Sequence, residues 1–155
     1  MTIWSVTQVR SPEQILFPLN PESKFDSRVY IFPQYPRAKQ NVTVDEGVGV
    51  LVPSSQSSQK VGADAGDWLV AIVDDVAIAQ LFSWEAGAEF PDGGLSLEVF
   101  TSRRYTELEI LSPIHRMVPG ESFSFSVAWD LKRLNEGTVE ARRSEAVSWV
   151  QDFGR

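Results

Sequence analysis

Three glutamates offer the densest chemistry in the chain: Glu98 in Leu-Ser-Leu-Glu-Val-Phe-Thr, and Glu107 and Glu109 in Tyr-Thr-Glu-Leu-Glu-Ile-Leu. Carboxyl groups held close together raise one another's pKa, and a raised carboxyl works as a general acid or base near neutral pH. The same groups accept hydrogen bonds from sugar hydroxyls. Their placement follows from the alternation of the two segments, which read as a hairpin over residues 95–111. With Ser102-Arg103 as a two-residue turn, Leu95 faces Ile110, Leu97 faces Leu108 and Val99 faces Thr106. A slip of one residue would set Leu97 against Glu109 and spoil that apolar face. This register opposes Glu98 to Glu107 and puts Glu109 on the same face, opposite Ser96. Like charges directly across a sheet are destabilising. If the row is simply a solvated surface, Arg103, Arg104 or Lys132 is expected to compensate it.

The single histidine, His115, follows Glu109 past Pro113 and can reach the same end of the sheet. A lone histidine near a strand end is otherwise structural or exposed. Trp4, Trp68, Trp84 and Trp129 are candidates for stacking on a sugar or, as is commoner for tryptophan, for the core. No nucleophile elbow, phosphate-cradling glycine loop or paired metal-ligand spacing occurs. No metal and no cofactor are expected.

The elements that must hold these residues are mostly strands. Residues 3–9 alternate Ile3, Ser5, Thr7 and Val9 with Trp4, Val6 and Gln8, and residues 15–18 give a short second run. Residues 20–41, rich in Pro, Lys and Arg, read as a long surface loop or a packed irregular connection, with a brief strand near 29–32. A hairpin around Asp45-Glu46 joins residues 41–44 to 47–52, and residues 54–66 read as a polar, mobile loop. Residues 68–73 and 76–83 flank Asp74-Asp75, and both are so continuously apolar that they belong in the middle of the core. Residues 121–129 alternate, with Phe123, Phe125, Val127 and Trp129 on one face. About nine strands with short turns predict an antiparallel β-sandwich, one domain over residues 1–155. Residues 144–153 predict a short helix capped by Ser144, with Ala146, Val147, Trp149, Val150 and Phe153 at packing positions.

Composition sets the outer bounds. The 155 residues are 43% apolar and 23% charged, enough for a core without staples. With no cysteine and one histidine, disulfides, thiolate chemistry and histidine-rich metal clusters are excluded. A net charge of −7 argues against binding a nucleic-acid backbone. No stretch approaches the roughly 20 apolar residues that span a bilayer, so no membrane partner is expected. The opening residues show neither a basic nor a continuously apolar region, and a cytoplasmic location is the default expectation.

Residues 105–113, Tyr-Thr-Glu-Leu-Glu-Ile-Leu-Ser-Pro, followed by Val118-Pro119-Gly120-Glu121-Ser122 and a strand ending in Trp129, resemble the C-terminal part of galactose mutarotase-like (aldose 1-epimerase-like) proteins. The opening Trp-Ser-Val-Thr-Gln-Val resembles a mid-chain strand of uncharacterised bacterial members. The resemblance covers most of residues 1–130 and corresponds to the C-terminal half of such proteins. It implies a sandwich related to that superfamily's β-supersandwich, with Glu109 or Glu107 as the catalytic base that takes the anomeric proton. Glu98, Trp4, Gln8 and His115 are then the substrate-binding candidates. Mutarotases protonate the ring oxygen with a histidine placed before or within the strand that residues 4–8 resemble. None occurs there, and His115 matches neither position.

The expectation is therefore a carbohydrate-binding or mutarotase-like domain with a sugar ligand and without full epimerase activity. The alternative is a non-catalytic structural or oligomerisation module derived from a larger sugar-active enzyme. Half of a sandwich leaves strand edges and an apolar face open, which predicts a homo-oligomer through an exposed sheet face or edge.

Overall fold

The computed structural model describes residues 1–154. Among them lie eleven strands: β1 (Trp4–Arg10), β2 (Gln14–Pro18), β3 (Tyr30–Ile31), β4 (Val42–Asp45), β5 (Val48–Leu51), β6 (Gln59–Ala63), β7 (Asp67–Val73), β8 (Val76–Phe82), β9 (Leu97–Thr101), β10 (Tyr105–Leu111) and β11 (Val127–Arg133). One α-helix, α1 (Val139–Gln151), follows them. The strands pair antiparallel into a five-stranded sheet, ordered β1-β10-β9-β6-β3, and a six-stranded sheet, ordered β11-β8-β7-β2-β5-β4. The fold is the expected antiparallel sandwich with a short C-terminal helix.

Three layers explain the hydrophobic patterns. Between the sheets lie Ile15, Phe17 and Leu69 from one side and Val61, Val99, Leu108 and Ile110 from the other. The opposite face of the six-stranded sheet buries Leu16, Val70, Ile72, Ala77 and Ala79 against Ala146 and Val150 of α1. Strands β2 and β7 are covered on both faces, which is why they read as nearly continuous apolar runs. The alanines of β8 let the helix approach closely. Burying Val150 alone contributes about 1.5–3 kcal/mol to holding it there. Arg143 ties α1 to the sheet through Asp45 (3.0 Å) and Gln14 (3.0 Å).

Several elements differ from the sequence reading. Helix α1 begins at Val139 because Thr138, not Ser144, is its N-cap; the Thr138 hydroxyl accepts the Ala141 N–H at 3.2 Å. Residues 54–66 are not one loop: they contain β6, an internal strand of the five-stranded sheet. Residues 121–126 are not a strand. In the β8–β11 register Val127 already faces Phe82, where β8 ends, so no strand lies beside the residues before it. Residues 20–41 form a packed irregular connection with buried Val29 and Ala38, the short β3 and two 3-10 segments, Asp26–Arg28 and Pro36–Asn41. The hairpin turn between β4 and β5 is Glu46-Gly47, both with positive φ (46° and 84°).

The two sheets are not flush. Gln80 of β8 donates to the Thr7 hydroxyl of β1 at 2.7 Å, so the edge strand β1 lies over β8. The outermost strand of the other sheet, β11, therefore has no strand above it among the described residues, although Val127 at its start packs with Phe125 against the core. Val127, Trp129 and Leu131 stand opposite Phe82, Gln80 and Ile78 and share their inward face. Trp129 is nevertheless 58% exposed and Leu131 64% exposed. The open apolar face expected of a half-sandwich is thus mostly closed by the second sheet, and Trp129 and Leu131 of the overhanging β11 are left exposed on that side.

Candidate functional site on the five-stranded sheet

The hairpin β9–β10 places the glutamates two residues away from the expected register. Arg103-Arg104 form the turn, with the Ser102 N–H donating to Tyr105 O at 2.9 Å, and the Ser102 hydroxyl accepts the Arg104 and Tyr105 N–H groups. A serine that caps the turn from its first position moves the turn one residue along the chain. The shift preserves the face of every side chain but changes partners: Glu98 opposes Glu109, whereas Glu107 opposes Phe100. All three remain on the outer face of the sheet.

The row across that face runs Val6, Glu109, Glu98, Gly62, Tyr30, and beside it lies the row Gln8, Glu107, Phe100, Lys60, continued past the end of β3 by Phe32, whose N–H donates to Lys60 O. Glu98 is completely buried and Glu109 nearly so. Their counter-charge is Lys60, not an arginine or Lys132. Its ammonium lies 2.7 Å from Glu98 Oε2 and 3.4 Å from Glu109 Oε2. A diagonal neighbour on the adjacent strand is within reach of a lysine-length side chain. The Trp4 indole N–H donates to the same Glu109 oxygen at 3.0 Å. The ammonium also faces the rings of Phe32 at 5.0 Å and Trp4 at 5.3 Å, both within cation–π range.

Gly62 is what lets Glu98 be covered. A Cβ at this position would stand 2.7 Å from Leu95 Cδ1, so the Leu95 side chain occupies the space beside Glu98. Burial pushes the Glu98 carboxyl up to about 7, against the pull of Lys60 and helped by the neighbouring Asp92 and Glu109. Burial also raises Glu109, opposed by Lys60 and the Trp4 N–H. Burial draws the Lys60 ammonium down, but the two carboxylates outweigh it and its pKa is raised. Glu98 Oε1 has no hydrogen-bond partner among the described residues. Asp92, which touches Glu98, also lines a cleft of about 600 Å³ together with Lys24, Asp64, Trp84 and Gly94.

Trp4 stands 45% exposed at the border of this arrangement, and Gln8 is exposed across from Glu107. His115 is not brought to it. The imidazole stacks on Phe123 at 4.2 Å, exposed, and the His115 backbone is bonded to Met1. Arg103 donates instead to Gln56 O, and Lys132 pairs with Glu145. Trp68 belongs to the core beneath α1. Lys60, Phe32 and Asp92 are the members that sequence reasoning missed. The signal for Lys60 was the alternation Gln59, Val61, Ala63 against Lys60, Gly62, hidden by its polar surroundings. Among the described residues no three His, Asp or Glu side chains converge as metal ligands.

The site is thus a buried carboxylate pair and one ammonium, walled by aromatics, on the outer face of an antiparallel sheet. No family model, curated protein or solved structure matches the chain.

Proposed function

We propose that the outer face of the five-stranded sheet binds a carbohydrate, with Trp4 as the stacking surface and Lys60 as the polar group that meets its hydroxyls, both held in place by Glu109. The observation that carries this reading is the half-exposed Trp4 whose indole N–H is fixed on Glu109, next to an ammonium held by two buried carboxylates. An aromatic plate beside fixed donors and acceptors suits a ring with an apolar face and a polar rim. The adjoining cleft has the volume of a small-ligand site. Binding without turnover fits the arrangement better than epimerisation. Lys60 engages both carboxylates, Glu107 stands apart opposite Phe100, and the only histidine stacks elsewhere.

The test is a panel of neutral aldoses followed by amide chemical shifts. A site of one aromatic plate and a few hydrogen bonds should bind with a Kd of about 1 mM, equivalent to about −4 kcal/mol. Trp4→Ala and Glu109→Gln should each abolish the shifts while far-UV circular dichroism stays unchanged. No shift with any sugar at tens of millimolar, or shifts indifferent to both substitutions, would overturn the proposal and leave the ion cluster as a structural feature.

A further inference from the structure

The five-stranded sheet stops one strand short of the sheet beneath it, and both strands at the step are open edges. The Ser112 N–H donates to Ile3 O, so Ile3 and Ser112 form a hydrogen-bonded pair. By alternation along β1, Trp4, Val6, Gln8 and Arg10 turn their backbone groups outward. On β11 the Leu134 N–H donates to Asp75 O, which leaves the backbone groups of Val127, Trp129, Leu131 and Arg133 outward. The Asp130 carboxylate accepts the outward Leu131 N–H at 2.8 Å, a local placeholder for a strand partner.

We propose that this step is closed by a second copy of the chain, related by a two-fold axis parallel to the strands. The direction of the strands permits it. Arg10, at the end of β1, pairs with Asp74 in the turn from which β8 departs, so β1 runs against β8. Strand β11 also runs against β8, so β1 and β11 point the same way. Rotation about an axis along the overhang exchanges the two layers and keeps that direction. The partner's β11 then fills the empty place beside β1, and this copy's β11 fills the place beside the partner's β1. The two β11 strands face each other across the axis, so Val127, Trp129 and Leu131 meet their own symmetry mates in a continued core. One step is its own complement, as an isologous interface requires.

Size and charge agree with this occupant. Each edge strand has seven residues, a length of roughly 23 Å. Two layers with their side chains stand roughly 20 Å high, so the pair covers on the order of 1,000 Å² in total, the lower range of specific interfaces. Among the described residues the Asp130 carboxylate, spent on the Leu131 N–H, is the one unpaired charge of these two edges, although each copy carries −7. Arg10, Arg133 and Lys132 are already paired within the chain to Asp74, Asp75 and Glu145. The outer face bearing Glu98 and Glu109 stays open in this arrangement, so the sugar proposal and this one stand or fall separately.

Sedimentation velocity from about 1 to 200 µM decides the matter. The wild-type chain is expected to sediment as a dimer at the upper end of that range. Trp129→Glu sets two like charges against each other at the axis and should raise the dimer dissociation constant at least about 100-fold, with unchanged circular dichroism. Val118→Glu, an equally exposed apolar position in the loop before β11, should leave dimerisation intact. Leu131→Glu is the second variant in case Trp129→Glu does not fold. A wild-type monomer throughout, or a dimer unaffected by Trp129→Glu and Leu131→Glu, would overturn the proposal.

Discussion

Replacing Glu98 with glutamine should strip the protein of most of its stability change between pH 5 and 8. Burial raises the Glu98 carboxyl from its ordinary 4.5 to about 7 despite the adjacent Lys60. Between those values the folded state holds the proton that the unfolded chain has lost, so stability falls as pH rises through the window. At ~1.4 kcal/mol per pH unit the loss is about 3 kcal/mol. Glu109, also raised, acts in the same direction. Lys60 is raised above 10.5, so its contribution is intact below that value and lost only at higher pH. Glu140 and Glu145 are lowered, and what they contribute is present above their ordinary 4.5 and lost as pH falls below it. None of these three intrudes between pH 5 and 8. Urea unfolding at both pH values reads the effect: with a slope of about 2 kcal/mol/M, the wild-type midpoint should fall by roughly 1–1.5 M. Glu98→Gln should retain only the smaller part due to Glu109. Equal pH dependence in the two proteins would refute the assignment of a buried, protonatable carboxyl to Glu98.

Lys60→Met leaves Glu98 and Glu109 facing each other without a counter-charge and should cost about 3–5 kcal/mol at pH 8 in urea unfolding. The cost should shrink at pH 5, where the Glu98 carboxyl is protonated; an equal loss at both pH values would mean that only the packing of the lysine stem matters. Gly66→Ala puts a Cβ 1.7 Å from Trp84 Cβ and 3.1 Å from its Cα, and this overpacking should lower stability by about 1–3 kcal/mol. A thermal midpoint unchanged by Gly66→Ala would show that the segment after β8 yields freely.

What could be read from the residues, and what could not, divides along physical lines. Alternation in β1, β9 and β10 is strong because each has one face in the core, and it put Glu98, Glu107 and Glu109 on one face correctly. The pairing within that face was missed by two residues, since a slip of two leaves every apolar contact equally satisfied. Only the capping hydroxyl of Ser102 decides between them. Strand β6 was illegible for a different reason. Its inward Gln59 accepts from the Thr101 hydroxyl and the Ser54 N–H, and its outward Lys60 is neutralised by two carboxylates, so both polar residues are held in the strand by partners distant in sequence. The perfect alternation of residues 122–126 misled in the opposite sense. An extended pattern becomes a strand only where a neighbour offers hydrogen bonds, and β8 ends at Phe82. Lys60 was invisible as a site residue because its role depends on that unread strand.

The contact between Trp4 and Glu109 joins residues 105 positions apart in the chain, and the partners of β1 and β10 lie from 107 (Trp4–Leu111) down to 95 positions apart (Arg10–Tyr105). During synthesis β1 emerges long before β10, its one neighbour among the described residues. At ribosomal speeds of about 5–20 residues per second, it waits roughly 5–20 s for β10 to appear. The β7–β8 hairpin, local in sequence, needs no such delay. The edge of the sheet that carries the carboxylate pair therefore stays open until β10 appears, and the growing chain carries an unpaired Trp-Ser-Val-Thr-Gln-Val segment throughout that interval. Chaperone demand should concentrate on that interval.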